Sequence, residues 1–321
     1  MNIFATDLDR SLMFSSKFIE NNMSPICIET LEGKEISYML EESLSLLDKI
    51  KKTRGLGFIP VTTRSVEQYK RVSSIQDCEY AITTNGGVIL HKGKKYDKWE
   101  KHIKEVMKKY AEVFDTIPDI VSPFEYAFEK KMRCVDGVFY YVKMNDNSED
   151  IEKFLDFLDK TLDKKIWSYT LQGLKLYIIP NEISKENALK FLKKELNCKY
   201  LMACGDGKLD KDFLQIADKV FKPKNGKPLS LITPNRQVWG DIFATDVNGE
   251  LLNIDDGMLA ITSTNVGLWV KGNATVDTGT LFVSASNSNG AYIEGSLKLN
   301  SGAANISSSG SIGCYAKGGT T

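Results

Sequence analysis

The stretch that decides the fold is Asn2-Ile3-Phe4-Ala5-Thr6-Asp7-Leu8-Asp9-Arg10-Ser11. Its first residues form a short apolar run, which is typical of a strand buried on both faces of a parallel sheet. Two carboxylates, those of Asp7 and Asp9, follow directly. Active sites of open α/β sheets lie beyond the carboxyl ends of the strands. The stretch therefore predicts a buried strand that carries two acidic side chains to a functional site.

Three further apolar runs have the same character, and amphipathic stretches such as Glu41–Ile50 separate them along the chain. The runs are Gly57–Val61, Tyr80–Thr83 and Leu201–Cys204, and polar residues or glycine follow each one. Short apolar strands that alternate with amphipathic helices predict an α/β fold.

Charge and composition limit the partners. Lys plus Arg and Asp plus Glu both number 42, so the net charge favours neither nucleic acid nor an anionic membrane. No apolar run approaches the roughly 18 residues of a membrane span, and the acidic motif begins too early for a signal peptide. The expected location is therefore the cytoplasm.

The six cysteines are scattered singly and the two histidines lack neighbouring ligands, which argues against a zinc site or a histidine-based triad.

At 321 residues the chain exceeds what one hydrophobic core usually holds. Residues 1–87 and 181–232 are predicted to be two parts of one α/β core, with 88–180 inserted as a second α/β domain. The elements expected in the insert are helices at Trp99–Phe114 and Asp150–Leu162, and strands at Lys131–Cys134, Phe139–Lys143 and Leu174–Ile179.

Residues 233–321 have few charges and are rich in Gly, Ser, Asn and Thr. Short alternating segments such as Thr280–Ser284, and glycines at roughly regular spacing, predict a β-rich module. A sandwich, a solenoid and a fibre-like fold all fit this pattern, and disorder is an alternative for residues 300–321. Because few charges guard its strand edges, the module is expected to support homo-oligomerisation.

Four motifs could together form one phosphate site. Asp7 and Asp9 need a cation between them if they share a face, and Mg²⁺ suits carboxylate ligands and a phosphate substrate. Val61-Thr62-Thr63-Arg64 offers a hydroxyl and backbone N–H groups at a helix start, which bind an anion or simply cap the helix.

The third motif is Ser184-Lys185-Glu186, where a lysine in the first turn opposes the helix dipole and is better explained by a phosphoryl group. The fourth is Gly205-Asp206-Gly207-Lys208-Leu209-Asp210, at the end of an apolar strand. Its two carboxylates are four residues apart. They could bind the same cation, or the segment could be an ordinary turn without a ligand.

In this order the motifs resemble those of the haloacid dehalogenase-like (HAD) hydrolases, and in particular the Cof-like and sucrose-phosphatase-like members. These have a C2-type cap between the second and third motifs. Thr84-Asn85-Gly86-Gly87 strengthens the resemblance, since such members commonly have an Asn-Gly pair just before the cap. The resemblance covers about residues 1–228. It implies a Rossmann-like HAD core with an inserted α/β cap, followed here by the β-rich C-terminal module.

The resemblance also implies the roles of individual residues. Asp7 is the expected nucleophile, Asp9 the general acid and base, and Thr62 and Lys185 the phosphoryl ligands. The expected Mg²⁺ ligands are Asp206, Asp7 and the Asp9 backbone carbonyl, with Asp210 orienting the metal site. The expected substrate-binding residues are Ser11, Arg64, Asn85 and Gly86. Three positions depart from the usual pattern, namely Ser11, Thr63 and Gly207, and none of them removes a catalytic group.

The expected function is a Mg²⁺-dependent phosphatase for a small phosphorylated metabolite, such as a sugar phosphate, acting through an aspartyl-phosphate. A phosphomutase is a close variant. The alternative is a structural or adhesive protein, phage-associated and fibre-like, in which the C-terminal module has the main role. A fusion junction near residue 231 is also open, because the composition changes there without a linker.

Overall fold

The computed structural model describes residues 1–19 and 23–221, together with Pro223 and parts of the region 230–320. Those parts are 230–231, 238–239, 242–244, 247–249, 252–254, 258–263, 267–270, 273–276, 280–286 and 289–320. The chain divides into two compact units. The first comprises Met1–Pro25, Met39–Gly57 and Glu195–Thr321, and the second comprises Ile26–Tyr38 and Phe58–Lys194.

The helices are α1 (Glu41–Lys52), α2 (Val66–Lys70), α3 (Asp97–Phe114), α4 (Ile117–Val121), α5 (Ser148–Thr161), α6 (Lys185–Glu195) and α7 (Lys211–Gln215). The strands up to residue 221 are β1 (Asn2–Thr6), β2 (Phe14–Ser15), β3 (Pro25–Leu31), β4 (Lys34–Leu40), β5 (Leu56–Pro60), β6 (Tyr80–Thr83), β7 (Val88–His91), β8 (Lys94–Lys95), β9 (Phe128–Val135), β10 (Phe139–Met144), β11 (Trp167–Gln172), β12 (Lys175–Pro180), β13 (Tyr200–Cys204) and β14 (Lys219–Phe221). The four apolar runs of the sequence are all strands, and the α/β fold class is confirmed.

A parallel sheet forms the centre of the first unit. β1 pairs with β13 in the register Asn2↔Tyr200 to Thr6↔Cys204, and β13 pairs in turn with β14. Ile3, Ala5 and Leu201 are completely buried, as strands in the middle of an α/β fold require. Because β1 and β13 run in the same direction, the residues that follow them lie at one edge of the sheet.

In the second unit, β6, β7 and β8 form an antiparallel sheet, and Val61 bridges Ile82 in a parallel sense. Tyr80–Thr83 had the pattern of a strand in the parallel sheet. Besides its parallel bridge to Val61, it pairs along its whole length with Val88–His91, because a tight turn at residues 84–87 returns the chain antiparallel. This turn contains the Asn-Gly pair noted in the sequence.

A hairpin formed by β3 and β4 was not predicted from the sequence. Glu32 and Gly33 connect the strands, and both have positive φ (51° and 75°), which suits a two-residue hairpin turn. The segment from Ile26 to Tyr38 belongs to the second unit.

The cap is an antiparallel sheet in the order β11-β12-β10-β9, covered by helices. Phe114 of α3 packs on Tyr140 with ring centroids 4.7 Å apart, and Phe128 packs on Phe154 of α5 at 5.3 Å. Successive side chains of a strand alternate between faces, so Tyr141 lies on the face opposite Tyr140. The predicted cap helices and its three predicted strands are present, and β11 is an additional strand.

The C-terminal region forms stacked parallel strands in three sheets, which is a β-solenoid. Its strands are β15 (Ser230–Leu231), β16 (Val238–Trp239), β17 (Ile242–Ala244), β18 (Val247–Gly249), β19 (Leu252–Ile254), β20 (Met258–Ser263), β21 (Leu268–Val270), β22 (Ala274–Val276), β23 (Thr280–Ala285), β24 (Ala291–Ile293), β25 (Leu297–Leu299), β26 (Ala303–Ser308) and β27 (Cys314–Ala316). Of the three alternatives, the solenoid is the one found. The last two strands lie in the segment for which disorder was an alternative.

Successive coils near the C-terminus are 23 residues long. Leu268 pairs with Ala291, and Ala291 pairs with Cys314. A Cβ on Gly290 would lie 2.3 Å from the Gly313 carbonyl oxygen, so only glycine fits where the coils stack at this corner. One of the three sheets continues the parallel sheet of the first unit, because Val220 of β14 pairs with Val238 of β16. The predicted 232/233 boundary lies outside the described residues, and the four predicted segments stay a prediction.

No helix in the described parts of the chain is both long and apolar enough to cross a membrane.

Candidate active site

The first unit gathers three buried carboxylates at the carboxyl ends of β1 and β13. Each of Asp7, Asp206 and Asp210 offers an oxygen, and these oxygens all lie within 4.8 Å of one another. Strand pairing explains the proximity, since the Asp7 N–H donates to the Cys204 carbonyl at 2.8 Å. Asp7 is 6% exposed, and Asp206 and Asp210 are each 2% exposed. These three of the predicted site residues are therefore assembled within one unit.

Asp210 also fixes the loop that contains Asp206. Its Oδ2 accepts hydrogen bonds from the backbone N–H of Asp206 at 3.0 Å and of Gly207 at 2.8 Å. Desolvation and the nearby carboxylates of Asp7, Asp210 and Asp206 raise the pKa of the Cys204 thiol to about 12. The negative potential at this edge of the sheet favours a cation.

The residues after Asp7 turn away from the strand. Asp9 is exposed, whereas Leu8 is completely buried. Arg10 has a φ of 65° and brings its Nε to 3.6 Å from Asp206 Oδ2. Arg10 had no predicted role, and its contact with Asp206 partly balances the acidic cluster. The buried Ser11 hydroxyl has no hydrogen-bond partner among the described residues.

In the second unit, Thr62 follows β5 and is completely buried. Its N–H donates to the Ile82 carbonyl at 2.8 Å, and its own carbonyl accepts from the Asn85 N–H at 3.1 Å. The Thr62 hydroxyl accepts a hydrogen bond from the Arg64 N–H at 3.2 Å. Backbone hydrogen bonds thus attach the second motif to β6 through the Thr62 N–H and to the Asn-Gly turn through the Thr62 carbonyl.

The Asn-Gly turn also contacts the N-terminus of α6. The Asn85 side-chain amide donates to the Ile183 carbonyl at 3.4 Å, while its Oδ1 is buried without a partner among the described residues. Gly86 has a φ of 95°, and a Cβ there would lie 2.1 Å from the Ser184 carbonyl oxygen. Lys185, the first residue of α6, is 3% exposed. Thr62, Asn85, Gly86 and Lys185 therefore belong to one connected part of the second unit.

Arg64 was predicted to bind substrate, and its guanidinium contacts the β3–β4 hairpin. Its Nη1 lies 2.8 Å from Glu29 Oε2, and its Nη2 lies 3.4 Å from the Ser37 hydroxyl. Burial by itself raises the pKa of Glu29, but the hydrogen bond from Ser37 and the charge of Arg64 outweigh burial, so this pKa lies below its usual value. No sequence motif indicated Glu29 or Ser37.

The cap touches the same turn through Asp136, which lies between β9 and β10. The Asp136 carboxylate accepts hydrogen bonds from the Thr84 hydroxyl and from the Val66 N–H, the latter at 3.1 Å. Trp99 of the cap donates its indole N–H to the Gly86 carbonyl at 2.9 Å. Sequence reasoning had assigned no role to Asp136.

The donor set of the acidic cluster fits Mg²⁺. Carboxylate oxygens are the protein ligands that this cation prefers, and three buried carboxylates so close together repel one another without a positive charge. The cluster found in the described parts of the chain consists of Asp7, Asp206 and Asp210. The Asp9 carboxylate is not a member, and only its backbone carbonyl had been expected to contribute.

Sequence comparison places these residues in a known class. A parallel α/β core with an acidic cluster at the strand ends and an inserted cap is the arrangement of HAD-type phosphatases. The sequence model described as sucrose-6F-phosphate phosphohydrolase matches residues 2–220, which is more than half of the chain. The chain belongs to this family of HAD-type phosphatases and is a phosphoric monoester hydrolase. No curated protein matches it in sequence.

Several solved structures are similar to this chain at low identity. The sucrose-phosphatase of Synechocystis, in complex with sucrose and phosphate, is 16% identical with a TM-score of 0.48, covering 70% of this chain and 84% of its own. A haloacid dehalogenase-like hydrolase from B. subtilis is 18% identical with a TM-score of 0.46, covering 71% and 90%. The C-terminal domain of C. albicans trehalose-6-phosphate phosphatase is 13% identical with a TM-score of 0.46, covering 66% and 72%.

The matched region ends at residue 220, before the solenoid. The match to the family model confirms the resemblance to HAD phosphatases. The comparisons give no support to the alternative of a structural or adhesive protein.

Proposed function

We propose that this chain is a Mg²⁺-dependent phosphatase that hydrolyses a small phosphorylated metabolite of the sugar-phosphate type through an aspartyl-phosphate on Asp7. The observation that carries the proposal is the buried cluster of Asp7, Asp206 and Asp210 at the ends of two paired parallel strands. Active sites of open α/β sheets lie at this position.

In the first step an oxygen of the Asp7 carboxylate attacks the phosphorus atom, and the ester P–O bond breaks. The leaving oxygen takes a proton from Asp9. In the second step Asp9 takes a proton from water, the water oxygen attacks phosphorus, and the bond to Asp7 breaks to release phosphate. The exposed position of Asp9 supports this role, because its carboxyl group must exchange protons with solvent and substrate.

Thr62 and Lys185 are proposed to hold the phosphoryl oxygens. A hydroxyl and an ammonium group supply hydrogen bonds and positive charge as negative charge spreads over the transferring group. The position of Lys185 in the first turn of α6 supports this assignment, because a lysine there opposes the helix dipole and a phosphoryl group would supply the negative charge that this helix end favours. Ser11, Arg64, Asn85 and Gly86 are proposed to line the substrate site.

Asp7, Asp206 and the Asp9 carbonyl would hold Mg²⁺, and Asp210 would orient the loop of Asp206 by its two hydrogen bonds. When bound, Mg²⁺ neutralises charge on the phosphoryl group and the surrounding carboxylates.

The substrate class is inferred from the family and from the cap. The family is named for a sugar phosphate, and the face of the cap sheet opposite its helices carries Tyr141 and Tyr177, with ring centroids 5.5 Å apart. Arg133 pairs in register with Tyr141 on the neighbouring strand. Aromatic and hydrogen-bonding side chains on one face suit a polyhydroxylated leaving group.

The test is phosphate release from a panel of sugar phosphates, with Mg²⁺ or with a chelator, by the wild type, Asp7→Asn and Asp9→Asn. The wild type should require Mg²⁺. Asp7→Asn should be inactive, because an amide does not attack phosphorus. Asp9→Asn should lose roughly 10²–10⁴-fold in rate, as expected for a missing general acid. Wild-type turnover by Asp7→Asn would refute the assignment.

A further inference from the structure

Glu29 is a buried carboxylate that the proposed chemistry does not use. It lies on β3 of the hairpin, and its side chain is 0% exposed. Three groups converge on it. The Arg64 guanidinium lies at 2.8 Å, the Arg71 Nε at 3.2 Å, and the Ser37 hydroxyl at 2.6 Å.

Burying the Glu29 carboxylate costs desolvation free energy, which its hydrogen-bond partners must offset. Taking a carboxylate and a guanidinium out of water is unfavourable unless hydrogen bonds satisfy both. Both Glu29 oxygens receive such bonds, since Oε2 accepts from Arg64 and Ser37 while Oε1 accepts from Arg71. Such a fully bonded carboxylate holds a guanidinium in one orientation more rigidly than an exposed ion pair does.

The orientation of Arg64 matters because its backbone belongs to the turn of Thr62. The Arg64 N–H donates to the Thr62 hydroxyl at 3.2 Å, and the Arg64 carbonyl accepts from the Thr84 N–H at 2.7 Å. The backbone of Arg64 is fixed by its bonds to Thr62 and Thr84, and its side chain is fixed by Glu29. Arg64 therefore cannot rotate without breaking one of these two sets of hydrogen bonds. The hairpin and the turn are thereby joined across 35 residues of sequence.

We propose that Glu29 is a positioning residue for Thr62. By holding the Arg64 guanidinium, it keeps the Thr62 hydroxyl in the orientation that binds a phosphoryl group. This proposal rests on the proposed function, in which Thr62 contacts the phosphoryl oxygens. It gives the hairpin a part in substrate binding, although the hairpin lies outside the motifs that identified the family.

The experiment compares Glu29→Gln with the matched control Arg71→Gln in the full-length protein. Each variant removes charge from the same ion-paired group, but only Glu29→Gln weakens the contact with Arg64. The measurements are KM and kcat for a sugar phosphate that the wild type hydrolyses, the inhibition constant of inorganic phosphate, and the melting temperature.

Glu29→Gln should raise KM and the phosphate inhibition constant together, by about tenfold. The reason is that it weakens the charge-assisted hydrogen bond to Arg64, which orients the Thr62 hydroxyl. The effect on kcat should be smaller, since Thr62 contacts the phosphoryl group in every bound state. Arg71→Gln should lower the melting temperature and leave both constants within about twofold of the wild type. A lower melting temperature for Glu29→Gln with an unchanged phosphate inhibition constant would overturn the proposal and leave Glu29 a purely structural role.

Ser37→Ala provides a second test should Glu29→Gln fail to fold. It removes the 2.6 Å hydrogen bond to Glu29 and should raise the phosphate inhibition constant by about threefold. An unchanged constant in this folded variant would also overturn the proposal. Failure of the proposed function is distinguishable, because it would show as an inactive wild type or an active Asp7→Asn.

Discussion

Replacing Gly86 by alanine should disrupt the site through one added methyl group. The Cβ would lie 2.1 Å from the Ser184 carbonyl oxygen and 3.0 Å from the Lys185 nitrogen. Since real Cβ atoms stay at least about 3 Å from such an oxygen, the start of α6 must move by about 1 Å. A misplacement of that size at a substrate-contacting group costs about 10²-fold in kcat/KM, and Lys185 would be displaced.

Gly173→Ala is the matched control for Gly86→Ala. Gly173 also has a positive φ, of 62°, but an added Cβ would meet nothing within 4 Å. Both variants therefore share the backbone strain of about 1–2 kcal/mol for alanine in the left-handed region, and only Gly86→Ala has the clash. The assays are phosphate release and urea unfolding. Gly86→Ala with the same kcat/KM as Gly173→Ala would show that the contact between the turn and α6 does not position Lys185.

Three further predictions concern the cap, acid stability and the solenoid. Asp136→Ala leaves the Thr84 hydroxyl and the Val66 N–H without their carboxylate partner, so urea unfolding should show a loss of about 1–3 kcal/mol; an unchanged midpoint would contradict this. Because the folded-state pKa of Glu29 lies below the ordinary value of 4.5, its contribution to stability is present above that value and lost as pH falls through the folded-state pKa. Between pH 6 and pH 3 the melting temperature should therefore decrease less for Glu29→Gln than for the wild type. Equal decreases in melting temperature would contradict a stabilising contribution from ionised Glu29. Deleting residues 233–321 should preserve Mg²⁺-dependent activity while lowering the oligomeric state measured by light scattering; a folded but inactive product would show that the solenoid contributes to the site.

The central strands and the acidic cluster could be predicted because their signals are local. Asp7 follows an apolar run directly, and Asp206 follows another one, so each carboxylate is placed at a strand end by its own neighbours in sequence. The pairing of the two strands then brings the carboxylates together. The same reasoning located α6 and the position of Lys185 in its first turn.

The contacts of Arg64 could not be predicted, because they depend on a pairing between distant segments. Glu29 lies in a strand whose alternation resembles that of many exposed hairpins, and nothing near it in sequence indicates that its carboxylate is buried against an arginine. The antiparallel partner of Tyr80–Thr83, the strand Val88–His91, was not predicted either, since it depends on the tight turn and not on the first strand itself.

The solenoid had a sequence signal that glycine spacing alone did not resolve. Gly267, Gly290 and Gly313 are 23 residues apart, and an aromatic residue follows two positions later in each coil, at Trp269, Tyr292 and Tyr315. The Tyr292 and Tyr315 rings stack with centroids 5.3 Å apart. The remaining positions differ in residue type from one coil to the next. The alternation of apolar and polar residues was therefore visible in the sequence, but the 23-residue repeat was not.

Trapping the phosphorylated enzyme tests the assignment of Asp7 most directly. The wild type is mixed with a hydrolysable sugar phosphate and Mg²⁺, quenched in acid during turnover and treated with borohydride, which reduces an acyl phosphate to an alcohol. Peptide mass spectrometry should find the reduced side chain at Asp7, and omission of substrate should abolish it. Reduction at a different carboxylate, or turnover without any reduced residue, would contradict the aspartyl-phosphate mechanism proposed for this chain.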